Sequence, residues 1–302
     1  MAKRQGDVAL WIEGARLRTL PLAIAPIIAA SGVTIALQAF DWTKTLLALT
    51  VALFLQIGVN YANDYSDGIR GTDSNRVGPL RLTASGSFQP KTVKLAAFIS
   101  LGVGALAGLV LIVLTALWWL LAVGALAVIA AWFYTGGKRP YGYAGLGEVV
   151  VFIFFGLVAV YGTVYVQTSD QFGSETLLIA TPVAVALGLY ASAVLMINNI
   201  RDIDTDIPAG KRTLAVRVGR TAAKAIYLFM IWAPLAIGGF YLSVPLIPAF
   251  VFPFALVFLL LPLSLIVVTA KTPKENILAL KLTSYSALAY SVLVALGLWK
   301  LF

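Results

Sequence analysis

The chain has 302 residues, of which 60% are hydrophobic and only 12% charged, with a net charge of +9 and neither histidine nor cysteine. Soluble domains carry about 25% charged residues, so this composition belongs to a membrane protein. It excludes disulfides, thiolate or imidazole metal centres and histidine-dependent catalysis.

Any metal must therefore be a hard cation held by oxygen. The surplus of positive charge reads as membrane topology and attraction to anionic lipid, not as nucleic-acid binding. The first nineteen residues are polar and basic and lack the apolar core and small-residue cleavage site of a signal peptide. Trp11, Ile12 and Ala15, on a segment bearing Arg16 and Arg18, predict a short interfacial helix. Apolar runs then predict nine transmembrane helices, at about 20–39, 45–62, 93–115, 118–135, 146–167, 177–200, 222–243, 246–269 and 278–299. With that count, 20 of the 22 Lys and Arg residues fall on the amino-terminal side, leaving only Lys44 and Lys300 opposite. The bias predicts a cytoplasmic amino terminus and an outer carboxyl terminus. The expected architecture is an all-α integral membrane bundle, one polytopic domain over 1–302.

Two loops on the basic side are long and polar, about 63–92 and 201–221, and hold six of the thirteen acids. Asn60, Asp64 and Asp67 share one helical face at the end of the second span, with Asn63 beside them. Asn198, Asp202 and Asp206 repeat the pattern at the end of the sixth, beside Asn199 and Asp204, and Pro208 should stop the helix there. Asp64 and Asp202 lie 138 positions apart, which reads as a weak internal duplication. Carboxylates crowded at a helix carboxyl end repel one another and oppose the helix dipole. A shared divalent cation relieves both penalties, and with oxygen ligands alone magnesium is the natural choice, normally shared with substrate phosphates.

Basic residues follow both clusters: Arg70, Arg76 and Arg81 after the first, Lys211, Arg212 and Arg217 after the second, with Lys138 and Arg139 on the same side. Acids holding a metal amid Lys and Arg are what a diphosphate requires. Topology alone also accounts for many of these bases, and a cation pathway is the rival use of the acids. Glu148 reads as favouring a helix start, and Tyr61, Tyr65, Tyr134, Tyr141, Tyr143 and Tyr190 as packing or as ring faces for a carbocation.

These motifs resemble those of the UbiA-type intramembrane prenyltransferase superfamily, nine-helix bundles with two aspartate-rich cytoplasmic motifs. N-D-x-x-D-x-x-x-D matches Asn63-Asp64-x-x-Asp67, its third aspartate falling on Gly71 with Asp73 two residues later, and D-x-x-x-D matches Asp202-x-x-x-Asp206. Within the superfamily, the stretches from Gly14 to Pro21, Asn63 to Asp73, Arg76 to Arg81, Asn198 to Asp202 and Gly210 to Gly219 are most similar to the 1,4-dihydroxy-2-naphthoate polyprenyltransferases of menaquinone synthesis.

The resemblance implies a central cavity open to the cytoplasmic side of a bacterial cytoplasmic membrane. The reaction implied is Mg²⁺-dependent transfer from a polyprenyl diphosphate to 1,4-dihydroxy-2-naphthoate, with decarboxylation. Asp64 and Asp67 would hold one ion and Asp202 and Asp206 another, with Asn60, Asn63, Asn198 and Asn199 ligating or orienting. Arg70, Arg81, Lys138, Arg139, Lys211 and Arg212 would bind the diphosphate, and membrane lipid would carry the isoprenoid tail. Other acceptors in view are 4-hydroxybenzoate, homogentisate, a tetrapyrrole and a sugar phosphate.

Overall fold

A computed structural model describes residues 7–72, 81–242 and 248–299, and every regular element among them is a helix. A short α1 (Asp7–Gly14) and a 3₁₀ turn (Leu17–Thr19) lead through a 50° bend into α2 (Pro21–Ala36). α3 (Trp42–Arg70) is capped at its start by Asp41, whose carboxylate accepts the Lys44 amide at 2.9 Å. α4 (Pro90–Thr115) opens on a proline, whose fixed φ is already helical, and packs along α3. α5 (Leu120–Phe133), α6 (Gly147–Thr168), α7 (Ser174–Asp206), a short α8 (Leu214–Val218) and α9 (Arg220–Leu242) follow. A 3₁₀ stretch (Pro248–Leu256) runs into α10 (Val257–Thr269), and α11 (Pro273–Trp299) ends the order.

Each of the nine expected segments falls on a helix, but the count by length is lower. Seven helices are long and apolar enough to cross a membrane, eight if α1 and α2 form one bent span. α5 falls short: its 14 residues extend about 21 Å at 1.5 Å per residue, against a hydrocarbon core about 30 Å thick. Trp118, Trp119 and Tyr134, which hydropathy alone joins to this span, form turns at its ends.

The two acidic clusters lie on helix, as their spacing predicts, and it is the loop bounds that differ. α3 runs on to Arg70 and α7 to Asp206, so both clusters sit on helical turns and the connecting loops begin later than expected. Gly71 ends α3 in the left-handed region, at φ 71°, a conformation that glycine takes without a Cβ clash. An aspartate at this third motif position would be strained. Ile207 keeps helical angles, and the helix stops at Pro208.

α7 is the central element, with 72% of its apolar window buried against at most 50% for any other candidate span. α2, α6, α9 and α11 pack around it, through a core that includes Val33, Val160, Leu187, Tyr227 and Leu280. Leu106, Leu126, Phe229, Phe258 and Leu265 stand exposed on the outside, the apolar belt that lipid would cover.

Candidate active site

The acidic ends of α3 and α7 converge on one cavity of about 410 Å³. α3 supplies Asn60, Asn63 and Asp67, α7 supplies Asn198, Asn199, Asp202 and Asp206, and Arg81, Lys211, Tyr141 and Tyr143 complete the polar end. Leu55, Leu111, Val123, Phe154 and Val158 line the remainder. Leu55 precedes Asn60 on α3 and the others stand on α4, α5 and α6, so the cavity is polar at the ends of α3 and α7 and apolar along the neighbouring helices.

Asp64 and Asp67 do different work. Asp64 does not line the cavity; its two oxygens accept the amides of Leu82 and Thr83, each at 2.8 Å. That clamp pins the segment after residue 80 against α3 and brings the Arg81 guanidinium to 3.9 Å from Asp67. Asp67 faces the cavity, accepts a hydrogen bond from the Tyr143 hydroxyl and has the Lys211 ammonium 3.6 Å away. Burial pushes the Tyr141 and Tyr143 phenols up, and Asp67 raises Tyr143 further. Tyr143 therefore stays protonated and can donate.

The segment Tyr141–Ala144, a single 3₁₀ turn, bridges the motifs. Its Tyr143 carbonyl accepts the Arg212 amide at 2.8 Å, and the neighbouring Lys211 amide donates to the Asp206 carbonyl at 2.9 Å. The Lys211 ammonium also sits over the Tyr143 ring, 4.7 Å from its centre. On α7, Asp202 accepts two hydrogen bonds from Arg201, both at 2.7 Å, and Arg201 also donates to Asn198 Oδ1 at 2.8 Å. Asp204 points away, exposed, and pairs with Arg220 at 2.8 Å.

Of the six cations expected at a diphosphate, Arg81 and Lys211 line the cavity. Lys138, Arg139 and Arg212 are exposed. Arg70 donates to the carbonyls of Thr135 and Gly137, tying α3 to the segment after α5. Asp73 and Arg76 lie outside the described residues. Arg16 and Gln56 also line the cavity, and the residue-by-residue reading missed both; the one available signal was that Arg16 lies within the matched stretch Gly14 to Pro21.

The amide orientations bear on a metal. Asn60 Nδ2 donates to the Ala15 carbonyl and Asn199 Nδ2 to Glu148 Oε1, each at 2.9 Å. Each therefore has its Oδ1 to offer to the cavity it lines. Asn63 Oδ1 accepts the Thr135 hydroxyl at 2.7 Å, which leaves it one lone pair. Among the described residues no three acids converge as a ready-made cage. Oxygens of Asp67, Asp202, Asp206, Asn60 and Asn199 still fit a hard divalent cation whose shell is completed by water and phosphate.

Glu148, 3% exposed, thus orients Asn199. Were Asn199 to hold the magnesium expected from the sequence, Glu148→Ala would raise the half-saturating Mg²⁺ concentration by about 10- to 100-fold, the usual cost of losing such an outer partner. Glu148→Gln, which keeps a carbonyl acceptor, should stay close to wild type. Magnesium titration of activity checks both.

The site is thus a cavity within a helical membrane bundle, where two acid- and amide-bearing helix ends meet Lys and Arg beside an apolar wall. The UbiA prenyltransferase family profile matches residues 23–299, and the chain belongs to this family. Over 221 residues it is 55% identical to the 1,4-dihydroxy-2-naphthoate octaprenyltransferase of Mycobacterium tuberculosis, covering 72% of this chain and 73% of that one. The Escherichia coli protein of the same name is 41% identical over 232 residues, 74% and 73% of the two chains. Among solved structures, a UbiA homologue from Archaeoglobus fulgidus bound to GPP and Mg²⁺ shares the fold, with a TM-score of 0.65 at 13% identity over 94% of this chain and 99% of that one.

Proposed function

We propose that this chain transfers a polyprenyl group from its diphosphate to 1,4-dihydroxy-2-naphthoate, releasing CO₂ and diphosphate and leaving demethylmenaquinone in its reduced form. The observation that carries this reading is the meeting of Asp67 with Asp202 and Asp206 around one cavity that also holds Arg81 and Lys211 and continues into an apolar wall. The names borne by relatives at 41–55% identity support the choice of acceptor.

In this reading Arg81 and Lys211 bind the diphosphate. Asp67, Asp202 and Asp206, with Asn60 and Asn199, hold magnesium beside it, and Asp64 holds the Arg81 segment in place. Bound magnesium supplies positive charge where the leaving diphosphate becomes more negative. The allylic C–O bond breaks with its electron pair going to diphosphate, and the electron-rich ring bonds to the allylic carbon. Loss of CO₂ returns its bonding pair to the ring, so that no oxidant is needed. Tyr141 and Tyr143, half-buried and neutral, offer ring faces to the cation.

The tail lies along Leu55, Val123, Phe154 and Val158. Each CH₂ kept out of water contributes about 0.8 kcal/mol, so the chain remains in lipid while its head reaches the polar end. The natural exit is between α5 and α6. Both line the cavity, yet α5 leans on α3 and α4 and has no extended packing with α6 among the described residues.

We also place all nine segments across the membrane, α5 included. Thr135, just past α5, bonds to Asn63 and accepts from Arg70, so α5 returns to the end of the bundle that holds the acids. The positive-inside bias then turns the cavity mouth and the amino terminus to the cytoplasm and the carboxyl terminus outward. The two acid-bearing helices at equivalent places support one domain with an internal duplication.

The test offers purified protein one labelled polyprenyl diphosphate and single acceptors in turn. Product with CO₂ release from 1,4-dihydroxy-2-naphthoate is expected. Turnover of 4-hydroxybenzoate or homogentisate in its place would move the acceptor assignment, and ion flux in liposomes without any prenylated product would make the chain a transporter.

A further inference from the structure

We propose that Arg16 binds the carboxylate of the aromatic acceptor; this rests on the function proposed above. Arg16 sits between α1 and the following 3₁₀ turn with φ 58° and ψ 60°, a left-handed conformation uncommon for a residue with a Cβ. The surroundings impose it. Asn60 on α3 donates to the Ala15 carbonyl at 2.9 Å, and Tyr61 to the Trp11 carbonyl at 2.9 Å. The Thr19 amide and hydroxyl close back onto the Arg16 carbonyl at 2.8 and 3.0 Å.

The side chain lines the cavity, and its Nη2 is buried without a hydrogen-bond partner. The other cavity cations differ: Arg81 and Lys211 each lie within 4 Å of Asp67. Among the described residues no acid neutralises Arg16. A half-buried guanidinium whose cavity-side nitrogen is buried with an unmet donor suits an anion.

Two anionic groups enter this reaction. The diphosphate has Arg81, Lys211 and the metal. The remaining one is the acceptor's carboxylate, whose planar pair of oxygens matches the guanidinium fork. The wall beside Arg16 suits the rest of that ring. Gln56 donates to Thr19 Oγ1 at 3.2 Å and Asn60 reaches the same oxygen at 3.5 Å, a polar ledge within the cavity for ring hydroxyls. Because the carboxylate leaves as neutral CO₂, its attraction to Arg16 is greatest before reaction and fades as product forms. Arg16 therefore contributes to holding the acceptor, not to the rate of the bound complex.

The experiment uses the full chain in detergent with Arg16→Asn, since asparagine tolerates the left-handed region, and Arg16→Lys as a charge-keeping second variant. Thermal unfolding confirms that each is folded. Arg16→Asn should raise KM for 1,4-dihydroxy-2-naphthoate by about 10- to 100-fold, as expected for losing a charge-assisted pair, with kcat and the prenyl diphosphate KM within about twofold. Arg16→Lys should fall between. With 1,4-dihydroxynaphthalene, which lacks the carboxylate, wild type and Arg16→Asn should have equal kcat/KM. An unchanged naphthoate KM, equal losses on both acceptors, or a rise confined to the prenyl diphosphate KM each overturn the assignment. Failure of the functional reading looks different, for then the wild type itself makes no product from the naphthoate.

Discussion

Asp67→Asn is expected to lower kcat/KM by on the order of 10³-fold, the equivalent of about 4 kcal/mol of transition-state stabilisation. Asp67 is the one cavity acid on α3, and it is reached at once by Tyr143, Lys211 and Arg81. The asparagine keeps the shape and one oxygen but removes the charge around which the others are arranged. EDTA should silence the wild type to a similar degree, and added Mg²⁺ should restore the wild type without restoring the variant. Asp64→Ala separates the two motif acids. It leaves the amides of Leu82 and Thr83 without their acceptor, at about 1–3 kcal/mol each if they stay buried. Its signature should be a lower Tm and a higher prenyl diphosphate KM, as Arg81 loses its seat. Steady-state kinetics beside thermal unfolding distinguish the two patterns, and equal loss of kcat in both variants would mean that Asp64 also touches the reacting groups.

That contrast marks how far the site could be read from residues alone. Helical spacing placed Asp64 and Asp67 on one stripe, and both indeed lie on α3. Spacing carries no knowledge of the segment after residue 80, which takes up both oxygens of Asp64 from a distance of eighteen residues. Charge near a motif was equally blunt. Lys211 and Arg81 reach the cavity because backbone bonds at Asp206 and Asp64 hold their segments inward. Lys138, Arg139 and Arg212 remain exposed, as topology alone would have them.

The apolar segments were legible because hydropathy reports burial or lipid contact directly. Their ends were not, since α3 and α7 carry polar residues about two turns onward, facing a cavity that the sequence does not display. α5 was overestimated for the opposite reason, because aromatic turn residues score as span. Arg16 was hidden by the abundance of basic residues at the amino terminus. Only the strained backbone and the buried, unpaired nitrogen set it apart.

Gly156→Ala should be strongly damaging although it lies away from the charged groups. A Cβ there would lie 2.5 Å from the Ala184 carbonyl oxygen and 2.6 Å from the Cα of Gly188. Both are backbone atoms, so relief requires α6 to move away from α7. Here α6 forms a π-helical stretch, Phe152–Val158, and the close crossing is possible only because glycine faces glycine. Overpacking of this kind costs about 1–3 kcal/mol and more where backbone resists.

The change should be felt in turnover as well as in stability. α6 carries Glu148, which orients Asn199, while α7 carries Asn199, Asp202 and Asp206. A displacement of about 1 Å between such groups is enough to cost roughly 100-fold in rate. Gly102→Ala on α4, where a Cβ meets nothing within 4 Å, is the matched control and should leave Tm and turnover unchanged. If Gly156→Ala matched that control in both measurements, the spacing of α6 and α7 would not be what sets the cavity's geometry.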